Sequence, residues 1–342
     1  MSSIRGGQMW SVELRVGRMK EAGTVKKRSA ILGVVCLTVF QLAAGIAHGL
    51  SGCTIVAWGY NDTGQCNVAA PNVGFAAAAA AYFHCLGLKS DGTLVAWGDN
   101  TYGEWNVPAP NAGFTAVGAG YGLCLGVKSD GTLVAWGNNG FGQCNVPAPN
   151  AGFVAAAAGY GHCLGLKSDG TIVGWGHNTY GQCNVPAPNA GFVAIAAGEN
   201  HSLGLKSDGT VVAWGWNNEG QCNVPAPNAG FVGVAAGYKH SLGVRSDGTV
   251  VAWGYNWWGQ CNVPVPNQGF VAVSAGQNHS LGLRSDGTVV AWGNNSWGQC
   301  NVPCAGGFVA ITAGGYYSLG LAPLVPSSTE AVTWGKVKSM FR

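Results

Sequence analysis

Charge is scarce in this sequence: aspartate, glutamate, lysine and arginine make up 9% of its 342 residues. What charge there is lies unevenly. Residues 1–30 hold seven basic side chains (Arg5, Arg15, Arg18, Lys20, Lys26, Lys27, Arg28) and two acids, Glu13 and Glu21. The stretch after Leu321 adds Lys336, Lys338 and Arg342 against Glu330, which leaves seven basic and eleven acidic residues in the body, a net of −4. Proteins hold nucleic acid by displacing its counterions with clustered lysine and arginine. A mildly acidic body without a basic stripe excludes that chemistry, so no nucleic-acid partner is expected.

What the chain has in abundance is glycine (57 residues) and tryptophan (14), spread evenly. That composition points to many short strands and turns rather than helices. Trp-Gly recurs at Trp58, Trp97, Trp136, Trp175, Trp214, Trp253 and Trp292, each 39 residues after the last. A fixed period of this size means an array, a solenoid or a propeller. The unit beginning at Phe192 reads FVAIAAGENHSLGLKSDGTVVAWGWNNEGQCNVPAPNAG. Four short apolar stretches lie in it, FVAIAAG, HSLGLKS, TVVAWG and QCNVP, divided by turn residues. The Ser-Asp-Gly is a tight hairpin signal, and the proline pair stops the last stretch. Four antiparallel strands per unit make one blade. Because blades taper towards an axis, the Ala/Gly-rich first stretch belongs innermost.

The two chain ends complement each other. The sequence enters the repeat at a third and fourth strand (Ile55–Trp58, Gln65–Val68) and leaves it after a first and second (Phe308–Ala313, Tyr317–Leu321). Six whole blades and one composite blade predict an all-β, seven-bladed propeller over residues 53–321. An export leader at 1–52 precedes it and a tail at 322–342 follows. Such a seam hides the sheet edges that a non-closing solenoid would expose.

Strand parity assigns the loops to two rims. The SDGT turns and the VPAPNAG linkers share the lower rim and scarcely vary between units. The upper loops vary and carry aromatics. Beside the Trp-Gly stand Tyr60, Tyr102, Phe141, Tyr180, Trp216, Tyr255, Trp257, Trp258 and Trp297. After the Ala-Gly stand Tyr82, Phe83, Tyr121, Tyr160, Tyr238 and Tyr316. Rigid aromatic side chains bury much area at low entropy cost, so this set is expected to bind a partner. Taken singly, each ring could instead brace its neighbouring blade.

No catalytic constellation emerges. His201 and Ser202 are neighbours, but adjacent strand residues face opposite ways, and Asp208 lies about 23 Å further along an extended strand. No nucleophile, base and orienter converge, and the glycine-rich loops precede no helix that could cradle phosphate. His84, His162, His201, His240 and His279 share one repeat position with Leu123 and Tyr317. That exchange speaks for packing and hydrogen bonding, and no metal site or cofactor is expected. Cys66, Cys144, Cys183, Cys222, Cys261 and Cys300 fall on the fourth stretch, where Trp105 takes the remaining unit. Cys85, Cys124 and Cys163 fall on the second, too far from the fourth for disulfides. All nine are read as small buried apolar residues.

Lys26-Lys27-Arg28 followed by nineteen uncharged residues, Ser29–Ala47, predicts a secretory signal and an extracellular or envelope location. The alternative is a retained membrane anchor. Leu50-Ser51-Gly52-Cys53 resembles a bacterial lipobox, which would lipidate Cys53. A disulfide from Cys53 to Cys304 across the seam is the competing use of that thiol.

The string AGxNHSLGLKSDGTVVAWGxNxxGQ, recurring in register over Thr54–Leu321, resembles the regulator of chromosome condensation repeat family. The resemblance implies a seven-bladed propeller. The short unit and its GQ-NVP ending are most similar to secreted bacterial propellers that inhibit class A β-lactamases through aromatic loops on one face. An export signal makes the guanine-nucleotide exchange activity of the nuclear members the least favoured reading. The expected function is therefore a non-catalytic, monomeric protein-binding module. The alternatives are an inhibitor of a secreted enzyme and a glycan-binding lectin.

Overall fold

The computed structural model describes residues 52–303 and 307–324. The leader up to Ser51, Cys304 and the tail from Val325 lie outside the described residues, and with them the questions of export signal and seam disulfide. Cys53 itself is half-buried and unpaired.

Each unit folds into a small antiparallel sheet. In the unit that begins at Phe192, the inner strand is Phe192–Ala197, the middle strand His201–Lys206 and the outer strand Val211–Gly215. The middle strand HSLGLK is buried along its first five residues because neighbouring blades cover both its faces. Its glycine has a steric cause. A register shift between Phe192 and Ala194 lays the Phe192 ring over Gly204, where an added Cβ would sit 2.5 Å from Phe192 Cε1.

Five sheets of three strands and one of six strands make up the described chain. The six-stranded sheet is two blades joined by the single pairing Cys53↔Phe75. One of them is the composite blade. Cys53–Gly59 runs antiparallel to Tyr317–Pro323 from Cys53↔Pro323 to Gly59↔Tyr317, and Ala310–Ala313 pairs with the same strand. The seven-bladed, seam-closed ring expected from the chain ends is thus present, with its last strand running two residues past Leu321.

The core is divided rather than single. Seven hydrophobic clusters each fill one gap between blades. Leu203 and Leu205 of one blade, for example, meet Phe231, Val234 and Trp253 of the next. The Ala-rich inner strands line an axial cavity of about 670 Å³, the narrow centre that the taper demanded.

The fourth stretch departs from expectation, since each blade has three strands and QCN forms none of them. In the same unit Gly220 N–H donates to Asn217 O (3.1 Å) and Asn223 N–H to Gly220 O (3.0 Å), giving successive turns. The Asn217 side chain takes the Cys222 N–H at 2.8 Å. Backbone groups satisfied within the turns have no need of a sheet edge. The linker asparagine completes the outer edge in a different way. Asn228 Oδ1 accepts from Val211 N–H and its Nδ2 donates to Val211 O, both at 2.8 Å, as a short strand would.

Candidate functional site

The pairings His201↔Gly215 and His84↔Gly98 put the inner-to-middle loops and the loops after Trp-Gly at the same end of the ring, the upper rim. Beneath that rim each blade is clasped to the next. His162, His201, His240 and His279 direct Nε2 to Ser202, Ser241, Ser280 and Ser318 of the following blade, each at 3.0 Å. Ser241 Oγ donates onward to Gln221 O at 2.9 Å, and Trp253 Nε1 donates to the same carbonyl at 2.9 Å. Burial away from water holds the His162, His201 and His240 imidazoles neutral, with pKa values lowered to about 3. Burial likewise lowers His84 and His279, to about 4.

The exceptions follow the same logic. His84 meets Cys124 Sγ at 3.2 Å. Leu123, which cannot donate, faces a blade carrying Cys163 instead of serine. Tyr317 reaches across the seam to donate to His84 O at 2.6 Å. His84, Cys124 and Glu104 stand in the order of a catalytic triad, with Glu104 Oε1 3.9 Å from His84 Nδ1. All three are buried, and burial pushes the Cys124 thiol well above its usual range, so no substrate meets an active thiolate there. The five histidines sit in five separate blade junctions. Among the described residues no three His, Cys, Asp or Glu side chains are placed to hold a metal.

The nine repeat cysteines divide into two kinds. Cys85, Cys124 and Cys163 are buried as expected, whereas the six in the turn segment are half-buried. Their thiols lie against loop carbonyls, as Cys183 Sγ does 3.3 Å from His177 O. A turn on the ring's outer surface, unlike a strand between blades, leaves one side open. For the same reason Trp105 at this position is 50% exposed.

Above the clasps lies a layer of rings. Tyr60 meets Trp297 at a centroid distance of 4.8 Å and Tyr316 at 6.2 Å. Tyr316 and Tyr82 bring their hydroxyls within 3.2 Å. Tyr82 lies against Phe83 (4.6 Å) and Tyr121 (5.5 Å). Tyr121 stacks on Tyr160 at 4.6 Å and has Tyr102 at 6.3 Å. One continuous network therefore joins eight of the fifteen aromatics expected here.

A second network runs from Phe141 through His177 (4.6 Å) to Tyr180 and on to Trp216 (5.8 Å). It ends where the Lys239 ammonium stands 4.6 Å from the Trp216 ring, 5.2 Å from Tyr238 and 6.0 Å from Tyr255. Trp257 and Trp258 join neither network and project from the rim, 80% and 46% exposed. His177 and Lys239 were missed by a search for aromatics. Their signal was their place, since both stand in the variable upper loops.

At the axis Tyr82, Tyr121, Tyr160, Glu199, Tyr238 and Gln277 surround a funnel of about 130 Å³. Backbone bonds between blades tie its wall together, from Tyr121 N–H to Gly159 O (3.2 Å) round to Gly315 N–H and Ala81 O (3.1 Å). Glu199 is its one acid. Partial burial raises the pKa of that carboxyl, against the Tyr238 hydroxyl and Lys239, which lower it.

Comparison with known proteins agrees with this architecture. Residues 76–104, 114–143, 153–182, 192–221, 231–256 and 270–299 match the Regulator of chromosome condensation (RCC1) repeat. Prp20p from Saccharomyces cerevisiae, described with its binding to Gsp1p and histones, is similar in fold with 18% identity and a TM-score of 0.68. That match covers 85% of this chain and 95% of Prp20p. Human WBSCR16 matches with 16% identity and a TM-score of 0.65, over 79% of this chain and 99% of its own. The ectodomain of the Arabidopsis thaliana receptor kinase ACR4 shares 26% identity over 71% of this chain and 91% of its own, with a TM-score of 0.58. Among curated proteins none matches significantly. Six repeat units in register, covering the six whole blades and half of the sequence, make this chain a member of the RCC1 repeat family.

Proposed function

We propose that this chain is an exported, non-catalytic propeller that binds a protein partner with its upper rim. The observation that carries this reading is the aromatic layer. Two ring networks and two projecting tryptophans occupy one rim of a scaffold that is otherwise closely repetitive. Tyrosine and tryptophan held by their neighbours present area without losing much freedom on binding. The binding of Gsp1p and histones by Prp20p makes a protein the first class of ligand to test. Export rests on the basic triplet and the nineteen-residue uncharged run at Ser29–Ala47. Inhibition of a secreted enzyme, such as a class A β-lactamase, is the sharper form of the same reading.

Affinity capture from envelope and culture fractions tests it, using the chain beside a Trp216→Ala, Trp257→Ala, Trp258→Ala variant. A partner held by the first and lost by the second supports the upper rim. Equal capture by both folded proteins moves the site to the lower rim. A glycan is the second reading, favoured by the flat, 80% exposed Trp257 ring. Binding to a glycan array would replace the protein partner with a sugar.

A further inference from the structure

Charge is divided between the two rims as sharply as the aromatics are. On the lower rim every unit that carries the Ser-Asp-Gly turn supplies one acid and one base. Asp208 at the turn, for example, is matched by Lys206 at the end of the middle strand. Six such aspartates (Asp91, Asp130, Asp169, Asp208, Asp247, Asp286) face four lysines and two arginines, so this rim carries no net charge. The described acids left over are Asp62, Asp99, Glu199, Glu219 and the buried Glu104, and the one base left over is Lys239. All of these belong to the upper rim. Four carboxylates there, with Glu199 half-buried at the funnel and Asp62 and Glu219 exposed, stand against a single ammonium, and the net negative charge of the ring lies entirely among its exposed aromatics.

Lys239 does not cancel this charge by contact. Its ammonium stands over Trp216, Tyr238 and Tyr255, and none of the four carboxylates forms an ion pair among the described residues. The chain's own lysine thus displays what this surface does with a cation, which is to hold it against ring faces. Glu199 Oε2, beneath the funnel rim, has no hydrogen-bond partner.

From this complementarity, and resting on the upper-rim reading above, we propose that the protein partner presents a basic surface. Its lysine and arginine side chains meet Asp62, Asp99, Glu199 and Glu219 while their stems and neighbours lie on the Tyr and Trp rings. Guanidinium groups suit such a surface because they stack on rings and pair with carboxylates at once.

The repeat itself supplies safe variants. At equivalent positions other blades already carry Asn138 for Asp99, Asn218 for Asp62 and Gln277 for Glu199, and Glu219 is exposed. Asp62→Asn, Asp99→Asn, Glu199→Gln and Glu219→Gln together should therefore leave the ring folded. The probe is a phage library of random dodecapeptides selected on the full chain. The expected result is that retained peptides are enriched in lysine and arginine, and bind the neutralised variant at least about tenfold more weakly. Raised salt should weaken the wild type more than the variant. Retained peptides without basic enrichment, equal binding to the neutralised variant, or an empty selection would each overturn the proposal. Trp257→Ala, Trp258→Ala separates this failure from that of the upper-rim reading. Peptides of any charge lost on that variant keep the reading and reject the basic partner, whereas peptides indifferent to it reject both.

Discussion

The lower and upper rims are made by the same 39-residue unit, yet they obey different rules. Below, six of the seven units carry each part of one solution. An aspartate caps its own threonine, as Asp208 does Thr210 at 2.9 and 2.7 Å, and an asparagine bonds both backbone groups of the first outer-strand residue. Above, one loop position holds Tyr, Asp, Asn, His or Trp in turn. Where a side chain satisfies the backbone of a turn or of a sheet edge, substitution leaves a polar group without its partner, so the residue scarcely varies along the chain. Where it only crowns a loop whose backbone is already satisfied, the position is open to vary. Stability should therefore depend on the lower rim and the clasps, and binding on the upper rim.

The largest test of that division is acid. Unfolded histidines take up a proton near pH 6.5, while the five buried ones do so only near 3 or 4. Between those limits the unfolded chain holds more protons, so stability falls as pH drops below about 6.5. Each imidazole contributes up to about 1.4 kcal/mol per pH unit. Urea midpoints at pH 7 and pH 5 measure it. An unchanged midpoint would mean that the clasps do not hold neutral imidazoles.

Next in size is a single clasp. Ser241→Ala strands His201 Nε2 and the Gln221 carbonyl loses one donor, at a cost of about 1–3 kcal/mol. His201→Leu with Ser241→Cys copies the Leu123–Cys163 junction, and should recover part of that loss and flatten the acid response. A double variant less stable than Ser241→Ala alone would show that the junctions are not interchangeable. On the lower rim, Asn228→Ala removes two bonds from Val211 and should cost about 1 kcal/mol, with partner capture unaltered. Capture lost with this variant would break the division of labour.

Smallest for stability is Trp257→Ala. An exposed ring outside both networks should change unfolding by no more than about 0.5 kcal/mol, although capture is expected to fall. A substantial loss of stability would make Trp257 a brace instead.

Several of these features could be read from residue order alone. The 39-residue spacing of Trp-Gly, the alanines of the inner strand and the complementary ends predict a closed ring, because each is a local pattern with one geometric consequence. The strand-like composition of QCNVP misled, because an Asn five residues back captures the Cys N–H and a glycine at positive φ turns the chain (Gly220, φ 79°). The upper-rim aromatics were visible as a set, but not as two networks with two outliers.

What the sequence by itself determined is the unit, its strands and the closure of the ring, since these depend on periodicity and side-chain size. What only the tertiary structure decided is who meets whom across a gap. His201 beside Ser202 is no pair, while His201 and Ser241, forty residues apart, are one. The same holds for the rings brought edge to edge on the upper rim and for Lys239 over three of them. The physical reason is that strand alternation sends adjacent side chains to opposite faces, and the rotation from blade to blade brings equivalent positions together.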